Sequence, residues 1–322
     1  MNFQQHSARK PIHTAPTTTQ PPVAANQPEA GECLSRVSRT RLDQVFLSPG
    51  IRSEIDTCLA MIREYDLLYR DWGLSLIEPH QRGVALNFYG PPGTGKTKTA
   101  EALAHELGQP ILEVNYATLL SSLQGQTGKN IEAVFESART ENAVLFFDEA
   151  DSLLSRRVEN ASQGGAQDLN TAKSIMLRQL DRFEGVVIFA TNLFQNYDPA
   201  FFRRINSHIG FALPCEVVRN HLWQFMLSPG VPGRDTVDFQ ALVAYSDGLS
   251  GGDIVNVIKQ TLSRLLMKTP RILSQDDLHA SIDTLRRARN AQRGIEERVL
   301  EGEEKADVLR RLAKTDAPSS PP

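Results

Sequence analysis

One stretch restricts the folds open to this chain more than any other: Gly90, Pro91, Pro92, Gly93, Thr94, Gly95, Lys96 and Thr97 in succession. The spacing is G-x-x-x-x-G-K-T, the pattern of a phosphate-binding loop, which needs a strand before it and a helix after it. The apolar run VALNFY before Gly90 and the helix-favouring run TKTAEALAHEL over 97–107 supply both. Glycines let the backbone wrap close to phosphate oxygens, while successive N–H groups and the helix N-terminus present positive partial charge. Lys96 is placed to reach β- and γ-phosphates, and the Thr97 hydroxyl to take a position on Mg²⁺. The rest of the chain is therefore read for what completes a nucleotide site.

The pattern around that loop predicts an α/β domain. Residues 51–72 carry apolar side chains at helical spacing, and 110–114 (PILEV) reads as a short strand. A helix is expected over 130–138, and 143–147 (AVLFF) is apolar throughout, as a parallel strand buried on both faces should be. The polar, Gly-containing stretch 152–172 precedes a helix over 173–183. Strands follow at 186–190 (VVIFA) and 208–213 (HIGFAL). Strands alternating with helices give a Rossmann-like parallel sheet flanked by helices. Beyond Pro214 the pattern turns helical, at 217–227, 239–245, 253–267 and 276–289, which predicts a small all-helical lid domain. The expected organisation is a disordered N-terminal arm (1–38), the nucleotide-binding domain (39–214), the lid (215–290) and a charged C-terminal tail (291–322).

Composition narrows the setting. A formal charge of −3 makes no electrostatic case for nucleic-acid binding, which shows as a basic domain or stripe. Cys33, Cys58 and Cys215 stand far apart without metal-ligand spacing, consistent with free thiols in a reducing compartment. No apolar run approaches a membrane span, and the N-terminus lacks a signal peptide's apolar core. These features predict a cytoplasmic protein.

Three further segments point back to the loop. In Leu145-Phe146-Phe147-Asp148-Glu149-Ala150-Asp151, two carboxylates follow a buried strand, where ligands of open α/β sheets bind. Asp148 is expected to hold Mg²⁺ through its water shell, and Glu149 to polarise the water that attacks a phosphate. The next strand ends at Asn192, whose amide can orient that water or touch the γ-phosphate. Arg203 and Arg204 follow the turn begun by Asp198-Pro199. They are either a plain surface pair or arginine fingers, which stabilise charge on a transferring phosphoryl group and usually act on a neighbour's site.

Together GPPGTGKT, LFFDEAD, FATN, DPAFFRR and GLSGGDI resemble the motifs of the AAA ATPases, specifically the core AAA branch, over about residues 41–290. The resemblance implies ATP with Mg²⁺ bound between the subunits of a homo-oligomeric ring, usually a hexamer. It carries the Walker A role onto Gly90–Thr97 and the Walker B role onto Asp148 and Glu149. Sensor 1 falls on Asn192 and the arginine fingers on Arg203 and Arg204. Gly252 stands where other branches carry a sensor-2 arginine. The resemblance also makes Val45 to Leu47 adenine-contacting candidates and Asn115 a partner restraining Glu149. Leu123 occupies the position of the family's aromatic pore residue, so a ring of such loops would grip polypeptide by aliphatic contact alone.

The leading expectation is an ATP-hydrolysing, ring-shaped remodeller of protein substrates. A nucleotide-dependent loader or switch on nucleic-acid-associated complexes is the alternative, and an assembly platform with slow turnover a third reading. No motif in the arm or tail identifies a substrate or adaptor.

Overall fold

A computed structural model describes residues 35–78, 82–115, 127–155, 164–192 and 197–292. The remaining arm, the loop bearing Leu123 and the tail from residue 293 lie outside the described residues.

The apolar runs pair in one parallel sheet: Val84–Tyr89 (β1), Ile111–Asn115 (β2), Val144–Asp148 (β3), Val186–Thr191 (β4) and Ser207–Gly210 (β5). The order is β2-β3-β4-β1-β5, so β1 and β4 are neighbours although they lie far apart in the chain. Period-two alternation splits each strand between two cores. Leu145, Phe147, Val187 and Phe189 face one core, while Val144, Phe146, Val186 and Ile188 face the other. Helices cover both faces, as a parallel sheet requires.

Pro49–Arg63 (α1) and Lys96–Glu106 (α2) cover the second of those faces, through Ile55, Leu59, Ala100 and Leu103. Thr127–Thr140 (α3) and Gly164–Leu180 (α5) cover the first, through Val134, Phe135 and Met176. Between them lies the single turn Asp151–Leu154 (α4), and before β5 the turn Pro199–Phe202 (α6). A separate apolar core unites Glu216–Met226 (α7), Phe239–Tyr245 (α8), Gly251–Leu265 (α9) and Gln275–Gln292 (α10). Trp223 is fully buried at its centre and donates its indole N–H to Ser246 Oγ at 2.8 Å.

The structure departs from the sequence expectations in three places. The helix expected to run to Trp72 ends at Arg63, followed by a wider turn closed by Trp72 N–H on Leu67 O at 2.9 Å. There Tyr69 is buried, stacked on Tyr65 and accepting from Asn206, tertiary contacts that a helical repeat does not encode. Helix α5 begins at Gly164, within the stretch expected to be irregular. Residues at the end of the expected arm are placed: Arg36 exchanges both backbone hydrogen bonds with Ile111 on the edge of β2. Its guanidinium also reaches Glu101 and Glu113 at 2.6 and 3.0 Å.

Candidate active site

Sheet register builds the site. Tyr89 pairs with Thr191, so the loop leaving β1 starts beside Asn192; Phe147 pairs with Phe189, so Asp148 and Glu149 emerge on the far side of β4. The chain crosses from β1 over β4 and β3 to β2, making the β1–β4 boundary a switch point, where open α/β sheets bind ligands.

Two glycines of the loop have no substitute. Gly90 has φ +138, and a Cβ there would lie 2.1 Å from the Phe211 carbonyl oxygen. Gly93 has φ +76, and a Cβ there would lie 2.6 Å from Ser250 Oγ. Gly252 N–H donates to Gly93 O at 3.0 Å, so the lid rests directly on the phosphate loop. Helix α2 then opens at Lys96, and the amides of its first turn have no acceptor within the helix.

Lys96 is buried, with its ammonium on Gly90 O, Pro91 O and Asn192 Oδ1 at 2.7, 3.0 and 2.9 Å. Burial pushes its pKa below the ordinary lysine value, opposed by the charges of Asp148 and Asp151. Thr97 Oγ1 donates to Asp148 Oδ2 at 3.3 Å. The other oxygen of Asp148 accepts the backbone N–H of Glu149 at 2.9 Å. Glu149 is exposed and has φ +53, a conformation uncommon outside glycine and often found at functional sites.

These groups line a cavity of about 640 Å³ with Pro92, Gly93, Thr94 and Gly95. Its polar end is the phosphate loop, Asp148, Glu149 and Asn192. Its apolar end holds Val45, Phe46 and Leu47, and opposite them Val218, Leu222, Phe225 and Met226 of α7. The Phe46 ring lies edge-on to Phe225 at 5.2 Å and stacks near His221 at 6.0 Å. A charged end for phosphates and an apolar end for a base is the shape a nucleotide needs. A hydroxyl and a carboxylate this close also fit Mg²⁺, whose other positions go to water and phosphate oxygens. Among the described residues no group of three or more His, Cys, Asp or Glu side chains could hold a metal by itself.

Gly90–Thr97, Asp148, Glu149, Asn192 and Gly252 are thus brought together. Arg203 and Arg204 are not. They line another cavity, of about 420 Å³, with Val84 and Val187, near the ends of β1 and β4 farthest from the loop. Strand rise alone separates the two ends by roughly 20 Å. Arg204 is engaged, gripping Asp181 at 2.7 and 3.0 Å and donating to Ala200 O at 3.0 Å, whereas Arg203 is exposed. Asn115 closes β2 opposite Asp148 in register. Sequence reasoning missed the α7 residues at the apolar end, because Phe225 reads as one more apolar residue of an amphipathic helix until its face is known.

The sequence profile of the ATPase family associated with various cellular activities (AAA) matches residues 86–213, from within β1 to the end of the α/β region. These residues form an AAA ATPase domain. The AAA domain here is 30% identical over 257 residues to a katanin p60 ATPase-containing protein of the A-like 2 type from Xenopus tropicalis, covering 74% of this chain and 46% of that protein. A cell division cycle protein 48 homolog of Archaeoglobus fulgidus is 35% identical over 189 residues, 56% of this chain and 25% of that one. Spastin of Drosophila erecta is 28% identical over 272 residues, 78% of this chain and 33% of that one. The chain thus spans less than half the length of these relatives. The AAA match takes in the phosphate loop, both carboxylates, Asn192 and both arginines, but stops before Gly252.

Proposed function

We propose that this chain binds and hydrolyses ATP, and that it works as a ring-shaped remodeller of protein substrates with ATP held between copies. The observation that carries the reading is the division of parts. Lys96, Thr97, Asp148, Glu149 and Asn192 share one cavity, while Arg203 and Arg204 open on another part of the same domain. Fingers that cannot reach their own phosphate loop are useful only to another copy.

In this reading the backbone of Gly90–Thr97 cradles the phosphates and Lys96 moves from its own loop's carbonyls onto the β- and γ-phosphates. Mg²⁺ held by Thr97 and Asp148 would neutralise charge building on the phosphates. Glu149 takes a proton from the attacking water and Asn192 orients that water. Arg203 of a neighbouring copy stabilises the phosphoryl group in transfer. Because α9 rests on the phosphate loop through Gly252 and Gly93, loss of the γ-phosphate would shift the lid against the sheet. A hexamer and a cytoplasmic setting belong to the same proposal; among the described residues no helix is long and apolar enough to cross a membrane.

The test is Glu149→Gln. It should bind ATP with affinity near that of the wild type and hydrolyse it at least about 10²-fold more slowly, the usual scale for a general base. Turnover equal to the wild type would remove Glu149 from this role. For the trans arrangement, inactive Arg203→Ala and Lys96→Ala proteins are mixed. Regained turnover is expected, and none at any ratio refutes it.

A further inference from the structure

We propose that Asp151 is a positioning residue for hydrolysis, its carboxylate fixing Asn192 and the turn that carries Glu149; this rests on the roles given to those two residues above. Asp151 begins α4, two residues after Glu149. Its Oδ1 accepts from the Thr191 hydroxyl and from the backbone N–H of Asn192, the latter at 3.0 Å. One residue earlier, Ala150 N–H donates to Ala190 O at 2.9 Å. The register between β3 and β4 ends at Phe147 and Phe189. Past that point these hydrogen bonds tie the turn after β3 to residues 190, 191 and 192 in succession.

The consequence for the site is geometric. Glu149 lies between Asp148, which accepts its N–H, and Ala150, which is tied to β4. Its φ of +53 is a conformation that persists only where neighbours hold it. Asn192 is held by its backbone to Asp151 and accepts from Lys96 with its side chain. One carboxylate therefore sets the relative places of the two groups that face the attacking water. Its action needs an acceptor oxygen at that point rather than a negative charge.

The experiment compares ATP hydrolysis and nucleotide affinity in Asp151→Ala, Asp151→Asn and Thr191→Val proteins. Misplacing reacting groups by about 1 Å costs on the order of 10²-fold. Asp151→Ala is expected to lower kcat by roughly 10- to 100-fold with KM for ATP within about threefold of the wild type. Asp151→Asn keeps an oxygen that accepts both N–H and O–H, and should restore kcat to within about threefold. A folded Asp151→Ala protein with wild-type kcat overturns the proposal. So does a rise in KM at unchanged kcat, or an Asp151→Asn protein as slow as Asp151→Ala. If Asp151→Ala does not fold, Thr191→Val decides: it keeps the carboxylate and nearly the shape of the threonine, and wild-type kcat in it overturns the proposal. Glu149→Gln separates the two readings. Turnover preserved there removes the role of Glu149, whereas turnover lost there but kept in Asp151→Ala removes only that of Asp151.

Discussion

The contact between lid and phosphate loop makes a sharp prediction for Gly93→Ala, with Gly108→Ala as its internal standard. Both glycines have left-handed backbones, φ +76 and +67, so an L side chain costs each of them roughly 1–2 kcal/mol. A Cβ at Gly108 meets nothing within 4 Å, whereas one at Gly93 meets Ser250 Oγ at 2.6 Å and Gly252 Cα at 3.2 Å. Ser250 cannot swing aside freely, because its hydroxyl donates to Asp253 Oδ2 at 2.6 Å and caps α9. Overpacking of this kind costs about 1–3 kcal/mol. Gly93→Ala should therefore destabilise by about 1–3 kcal/mol more than Gly108→Ala in urea denaturation. Adding Ser250→Gly should return most of that excess, since glycine at an N-cap loses only a few tenths of a kcal/mol. Whatever part the lid relieves by lifting should appear as weaker nucleotide binding, about tenfold for each ~1.4 kcal/mol. Equal destabilisation of the two alanine variants, or an excess untouched by Ser250→Gly, would refute direct contact between lid and loop.

Two further outcomes follow from the ion pairs. Arg204→Ala should lower stability by about 1 kcal/mol, because its two-point grip on Asp181 is only half-buried, while thermal melting of Arg203→Ala should match the wild type. Equal melting of both variants would remove the structural role of Arg204. Glu101 concerns pH. Burial would raise its pKa, but hydrogen bonds from Lys98, Arg36 and Thr40 outweigh it and hold the carboxyl below its ordinary value of 4.5. A depressed folded pKa stabilises above the unfolded value and loses that contribution as pH falls through the folded one. Glu101→Gln should therefore melt below the wild type at neutral pH and converge with it in acid; a pH-independent gap would contradict this.

Much of the molecule was legible because its rules are local. Runs such as AVLFF and VVIFA are apolar at every position, which a strand covered on both faces requires, and they became β3 and β4 with boundaries shifted by one residue. Helix α8 was read at its observed limits because Asp238 caps it and the apolar spacing stops at Tyr245. The loop from Gly90 to Thr97 was legible because phosphate binding sets both its residue types and their spacing. The misread segments answer to distant partners: the wide turn at Tyr69 follows its contact with Asn206, and Arg36 follows the open edge of β2.

By itself, then, the sequence determined the order of strands and helices, the separate helical core after Pro214 and the residue types of a nucleotide site. Those depend on periodicity, capping and backbone freedom, all read within a few residues. Tertiary structure alone decided the rest. Strand order set Asn192 between the phosphate loop and Asp148, and the lid closed the apolar end of the cavity with Phe225. It also sent Arg203 and Arg204 to another part of the sheet and tied Asp151 to the end of β4. Each of these depends on which strands lie side by side and in what register. Pairing between segments far apart in the chain carries no local signature, since any apolar strand could in principle lie beside any other.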